Sequence, residues 1–290
     1  EALEDVLTGD GRETRVSAAK ALVPHYQSRA MYGELVSALC VAAETDDPVD
    51  KLDSLRRAAE VADVGLGDAA QAFDLQGRSV RVGLSESELG RMLADLERLA
   101  RAAGKQRDHV ALLVEIVPDI VDGDLQVETM MKIARTAREE LGDVALSKAY
   151  YAKVLEFQPE HRQALDALDQ LHRESGDHAS LLEVVRRKAE IAESPAARVA
   201  ELLRVAQLCE ESLSDLPSAI DALEQVLSEQ AVPEAWLGLE RLYTKAERFS
   251  DLAGLYERML DAAAGPPSEL RYKLGRVHLD HLRDPEMAIE

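Results

Sequence analysis

Cysteine, aromatic side chains and positive charge are all scarce in this sequence, and each scarcity excludes something. The two cysteines, Cys40 and Cys209, lie in apolar helical patterns with no CxxC partner, so they are expected as small buried hydrophobes and not as a disulfide or metal pair. Aromatics make up 4% of 290 residues while Ala, Leu, Glu and Arg abound, a bias toward helix over sheet. Strand signals are nearly missing, with no Val/Ile/Thr alternation and no Asn-Gly hairpin. Lys and Arg number 34 against 55 Asp and Glu, a net charge of −21. That balance argues against a general nucleic-acid binder, which needs a basic face for phosphates, and against docking on anionic membrane. No apolar run approaches the roughly 18 residues that a membrane helix needs, and no signal-peptide pattern opens the chain.

Repetition dominates what remains. "PEAWLGLERLYTKAERFSDLAGLYERML" (233–260) sets Trp236, Leu239, Tyr243, Leu252 and Tyr256 in a helical rhythm around a short break. Shifted by 71 residues it superposes on "ALDALDQLHRESGDHASLLEVVRRKAE" (164–190), with Leu165, Leu168, His172, Leu181 and Val185 on the same positions. A second register lies between these hairpins, marked by Asp68, Asp143, Asp215 and Asp284 and, four residues on, by Ala72, Ser147, Ala219 and Ala288. The aspartates are 75, 72 and 69 residues apart, so the period is about 72 and holds two hairpins. "EALEDVL" at 1–7 reads like "DALEQVL" at 221–227. The expectation is therefore one repeat domain over 1–290, with periods of about 1–73, 74–148, 149–220 and 221–290, excerpted from a longer array. Its ends, 1–10 and 280–290, are expected to be less protected or to associate end to end.

Local signals agree with a chain of hairpins. Gly104, Gly142 and Gly176 fall where a helix ends in left-handed backbone, and Asp143, Asp177 and Asp215 follow where the next helix needs a cap. Pro159 and Pro233 sit at junctions between units. The pattern resembles the tetratricopeptide repeat, a 34-residue helix–turn–helix, best in Trp236, Leu239, Tyr243 and Tyr256 and in Ala134, Gly142, Ser147, Tyr151 and Pro159. The resemblance spans nearly the whole chain, with eight A-type helices, and implies an all-α, right-handed solenoid of stacked hairpins. There are departures. The family's Gly after the helix-A Leu is replaced by Arg135, Asp169, Gln207 and Glu240, and alternate B helices carry Leu35, Val110, Leu181 and Leu252 where the family prefers Ala. Pro118 is expected to shorten or kink a B helix.

Catalytic signatures are missing. No HExxH or other metal spacing occurs among the seven histidines; His278 and His281 are helical i, i+3 neighbours near the chain end and read as surface residues. "GDGRE" near residue 9 lacks the Lys–Ser/Thr pair of a phosphate loop, and there is no G-x-S-x-G elbow. No enzyme activity, metal or cofactor is expected.

One pattern carries more. In the family, the residue after the first large position of helix A faces the concave groove. That position holds Arg57, Lys132, Arg204 and Lys273 in the aspartate-register hairpins and Lys20 in the first hairpin of the other type; Ala94, Asp166 and Leu237 fill the rest. Two readings stay open. The cations form a ladder for an acidic or carboxylate-bearing segment, or each pairs with an acidic residue of a neighbouring helix and fixes register. The carboxylate clamp of peptide-binding family members also uses Asn, and this sequence contains none. The function these observations imply is a non-catalytic scaffold for partner proteins or peptides. The alternatives are a docking or regulatory segment of a larger enzyme and a structural part of a bacterial envelope or motility assembly.

Overall fold

The computed structural model describes residues 11–288, so what is expected of residues 1–10, and of 289 and 290, lies outside it. Among the described residues there are fifteen α-helices and no strand. They are α1 Arg12–Ser28, α2 Tyr32–Ala42, α3 Pro48–Glu60, α4 Ala69–Val82, α5 Leu89–Ala103, α6 Gln106–Ile116, α7 Gly123–Glu139, α8 Val144–Phe157, α9 Arg162–Ser175, α10 His178–Glu190, α11 Pro195–Gln207, α12 Leu216–Glu229, α13 Pro233–Lys245, α14 Phe249–Asp261 and α15 Pro267–Val277. Odd-numbered helices are the first (A) helices of hairpins and even-numbered ones the second (B). The chain forms two compact units, Glu1–Phe157 and Gln158–Glu290. In each, every helix packs on the next in sequence, so each hairpin buries one face internally and another against its neighbour.

The A-to-B turns come in two kinds that alternate, which is the structural form of the 72-residue period. The short kind closes with an amide bonding the carbonyl five residues back: Met31 to Tyr26, Lys105 to Ala100, Asp177 to His172 and Arg248 to Tyr243, at 2.8–3.0 Å. The residue before each amide is left-handed: Ala30, Gly104, Gly176 and Glu247, with φ between +52° and +67°. The long kind reaches six residues back, from Asp68 to Ala62, Asp143 to Ala137, Asp215 to Cys209 and Asp284 to His278, at 2.8–2.9 Å. Here the left-handed residues are Gly67, Gly142, Ser214 and Arg283. Three of these A helices widen into a π-turn just before, at Val61–Gly65, Leu208–Ser212 and His278–Leu282. Asp68, Asp143 and Asp215 cap the B helices that follow, and Asp284 makes the same bond at the end of the described residues. In each case Oδ1 accepts from the amide three residues on: Gln71, Leu146, Ser218 and Met287.

The positions picked out by periodicity form the cores. Trp236, Leu239, Tyr243, Leu252 and Tyr256 are buried, as are Leu165, Leu168, Leu181 and Val185. Each fully buried leucine of this kind contributes about 1.5–3 kcal/mol relative to exposure. The small-residue position of the B helices, Ala72, Ser147 and Ala219, is wholly inaccessible. Pro118 acts as expected: α6 stops at Ile116 and a 3-10 turn, Val117–Asp119, follows. Counting from the left-handed turn residue corrects one assignment. The equivalent of Leu35, Leu181 and Leu252 is His109 and not Val110; both are buried, and the apolar pattern alone slipped by one residue. Cys209 is buried and Cys40 half-buried, both free, and burial pushes both thiols up from their ordinary range.

Candidate functional site: the A-helix ladder

The left-handed turn residue fixes a common register for the A helices. Ten residues before it stand Lys20, Arg57, Ala94, Lys132, Asp166, Arg204, Leu237 and Lys273; seven before it stand Val23, Glu60, Glu97, Arg135, Asp169, Gln207, Glu240 and Arg276. The register explains the ion pairs. The cation on a long-turn A helix meets the acid on the preceding short-turn A helix three times: Lys132 with Glu97 at 2.6 Å, Arg204 with Asp169 at 2.8 Å and Lys273 with Glu240 at 3.0 Å. Opposite joints pin the short-turn helices back, through Arg98 to Asp63 and Arg241 to Glu210, each at 2.6 Å. Lys20 pairs with Asp50 on α3 at 2.6 Å. Arg57 has the loosest contacts of the ladder: Gln27 accepts from it at 3.3 Å, and Asp53 on its own helix lies 3.9 Å away. All five ladder residues thus touch a polar partner in their own unit.

The joint around Asp169 is the most developed. Its carboxylate is buried and accepts from Arg173 at 2.7 Å, Arg204 at 2.8 Å and Lys188 at 2.9 Å. Burial would raise its pKa, but the three cations, Arg204 foremost, hold it far below the ordinary carboxylate range. Lys188 also meets Asp166 at 2.9 Å and Glu201 at 3.4 Å, and Arg204 meets Glu201 at 2.7 Å, so the cluster balances three acids with three bases. Burial lowers the Lys188 ammonium, and Asp166 and Asp169 more than reverse this. A cavity of about 520 Å³ opens over this cluster, between α9 and α11. The equivalent joints are simpler. Burial opposes ionisation of Glu97, and its bond to Lys132 outweighs that. Glu240 accepts from Lys273 and also from the Tyr256 hydroxyl at 2.9 Å, a phenol that burial and this bond push well up.

His109 sits beside the α5–α7 joint. Its ring is buried, its Nε2 has no hydrogen-bond partner, and burial lowers its pKa to about 4. Glu97 raises that value, while Lys132 and Arg101 lower it.

The acid partners are what the ladder pattern left unread. Glu97, Asp169 and Glu240 recur at one position every 71 or 72 residues, so the signal was present, though Asp169 and Glu240 stood out only as replacements of a small residue. No group of three or more His, Cys, Asp or Glu side chains among the described residues is arranged to hold a metal ion, and none of the helices there is long and apolar enough to cross a membrane.

Alternating turn types, aspartate caps and A-to-A joints define an all-α protein built from repeated helix hairpins, whose sequence pattern resembles the tetratricopeptide repeat. No family model and no curated protein matches the chain. Among solved structures it is similar to a tetratricopeptide repeat protein from Parabacteroides merdae, 16% identical over 82% of this chain and 89% of that one, with a TM-score of 0.37. The Naa15/Naa10 structure bound to HypK-THB matches at 14% identity over 94% of this chain and 40% of that one, TM-score 0.42. Yeast Tom70 matches at 11% identity over 96% and 62%, TM-score 0.31.

Proposed function

We propose that the chain is a non-catalytic scaffold that holds a partner protein or peptide against the exposed side of its A helices. The observation that carries this reading is the repeated A-helix face itself. In each unit a cavity of about 520 Å³ opens between successive A helices, between α3 and α5 in one and between α9 and α11 in the other. Half-open surfaces bordered by charged groups suit an extended segment better than a small enclosed substrate. An exposed apolar group lies at the ladder position of another A helix, Leu237 on α13, and supplies area that a charged face alone lacks. The joints keep the A helices in register, so a partner meets a preorganised surface.

Photo-crosslinking tests this directly. A photoreactive residue placed at Leu237 is expected to yield discrete crosslinked partner species in a lysate of the source organism. The same group at Glu257, exposed on the B helix α14, is expected to yield none. Equal crosslinking from both faces, or none from Leu237, refutes the assignment.

A further inference from the structure

We infer that the open end of the α13–α14 hairpin is a socket for one aliphatic side chain of a partner segment, with a basic residue beside it in that segment. The socket rests on the scaffold reading and gives it one place in the second unit. Two hairpins of that unit, α9–α10 and α13–α14, correspond position for position at a shift of 71 residues. Away from its turn, α9–α10 is clasped by two ion pairs that cross from the A helix: Arg162 to Glu193 at 2.7 Å and Asp166 to Lys188 at 2.9 Å. In α13–α14 the same four positions hold Pro233, Ala264, Leu237 and Met259, so neither pair forms. What stands in their place is a cavity of about 260 Å³ lined by apolar side chains alone, with Trp236 and Met259 buried and Leu237 63% exposed. That volume lies below the roughly 300–1,000 Å³ of small-molecule pockets and suits a side chain.

The next A helix explains why the socket is open and what fits it. Helices α3, α7 and α11 each begin 19 residues before their left-handed turn residue, whereas α15 begins 16 before Arg283. Pro267 holds Pro266 extended, at ψ 120°, which keeps α15 from starting a turn earlier. In α7 that first turn carries Leu125, whose Cδ1 lies 3.8 Å from where a Cβ on Gly90 would stand. Gly90 is the α5 equivalent of Pro233, and the equivalent of Leu125 is Pro266, outside the helix. The late start of α15 thus withholds from α13 the leucine that α7 gives α5. A partner's leucine takes that place, and the apolar surface buried on both sides stabilises the contact. Charge selects its neighbour. Glu234 and Asp261, each next in sequence to a lining residue, are exposed and make no ion pair among the described residues. Arg258 on α14 is already held by Glu224 at 2.9 Å. A basic residue beside the leucine meets free carboxylates there, and an acidic one meets repulsion.

The test uses the full chain and N-acetyl-Leu-Arg-amide, followed by NMR of the Trp236 indole N–H, the one tryptophan signal of the chain. A saturable shift is expected at millimolar peptide. The Ala-Arg analogue should bind about tenfold or more weakly, since its methyl leaves the socket unfilled. The Leu-Glu analogue should bind several-fold more weakly at low salt, where exposed charges are least screened. Pro233→Arg with Ala264→Glu transplants the Arg162–Glu193 pair into this hairpin and should abolish the shift; circular dichroism and thermal melting check the variant's fold. If that variant unfolds, the Leu-Arg and Ala-Arg comparison on the unaltered chain decides alone. No saturable shift of Trp236, equal binding of the Ala-Arg peptide, or an undiminished response in the folded double variant would overturn the socket. Equal binding of the Leu-Glu peptide would overturn the basic neighbour. Crosslinking from Leu237 that persists in the double variant would leave the scaffold reading standing while the socket fell.

Discussion

Replacing Asp169 by Ala isolates the energetic weight of an inter-hairpin joint. The carboxylate is 4% exposed and accepts three charge-assisted bonds, from cations that are 63% (Arg173), 19% (Lys188) and 33% (Arg204) exposed. Breaking a buried pair by removing one member costs about 3–5 kcal/mol, because the other charge is left without compensation. Here Lys188 retains Asp166 and Glu201, and Arg204 retains Glu201, so the expected loss is smaller, about 2–3 kcal/mol. The chain's one tryptophan, Trp236, lies in the same compact unit, so its fluorescence in urea reports that unit's unfolding. With a slope of about 2 kcal/mol/M, the midpoint should fall by about 1 M or slightly more. Asp169→Ala/Arg204→Ala should cost less than the sum of the single changes, by about 1–2 kcal/mol, since the two groups share one joint. The linkage has a definite sign. The folded-state pKa of Asp169 lies below its unfolded value, so its contribution is complete above about pH 4 and is lost as pH falls toward the folded value. A midpoint change below about 0.3 M at pH 7, or strict additivity with Arg204→Ala, would refute the claim that the joint stabilises the stack.

His109 should make the first unit sensitive to mild acid. Its folded pKa of about 4 lies below the ordinary 6.5, so stability is full above pH 6.5, falls by about 3 kcal/mol as pH drops from there to 4, and levels off below. His109→Leu, the residue at the equivalent positions, should flatten the dependence of melting temperature on pH in that window; an unchanged profile would mean the ring is solvated. Ser214 and Glu247 hold left-handed backbone that glycine adopts without strain. Ser214→Gly and Glu247→Gly should each stabilise the second unit by about 1 kcal/mol, read again by Trp236 fluorescence, and a destabilisation would contradict the turn geometry.

What the sequence by itself determined is the local chemistry. A glycine at a helix end and an aspartate just after it act on backbone groups within six residues, so Gly142 with Asp143 could be assigned before any packing was known. Helical periodicity likewise placed Leu165, Leu239 and Tyr256 in the core, because burial on a helix follows its 3.6-residue turn. Where pattern and turn disagreed, as at His109 and Val110, counting from the turn residue was decisive, since backbone geometry fixes register more sharply than hydrophobicity does. Tertiary structure alone decided which charges meet. Arg204 reaches Asp169 across 35 residues of chain, a contact that depends on how two hairpins stack and on what else competes for the guanidinium. The same holds for the division into two compact units at residue 157 and for the exposure of Tyr32 against Gly65. Local signals are set by near neighbours along the chain, whereas partners, burial and cavities arise only when segments about one hairpin apart come together.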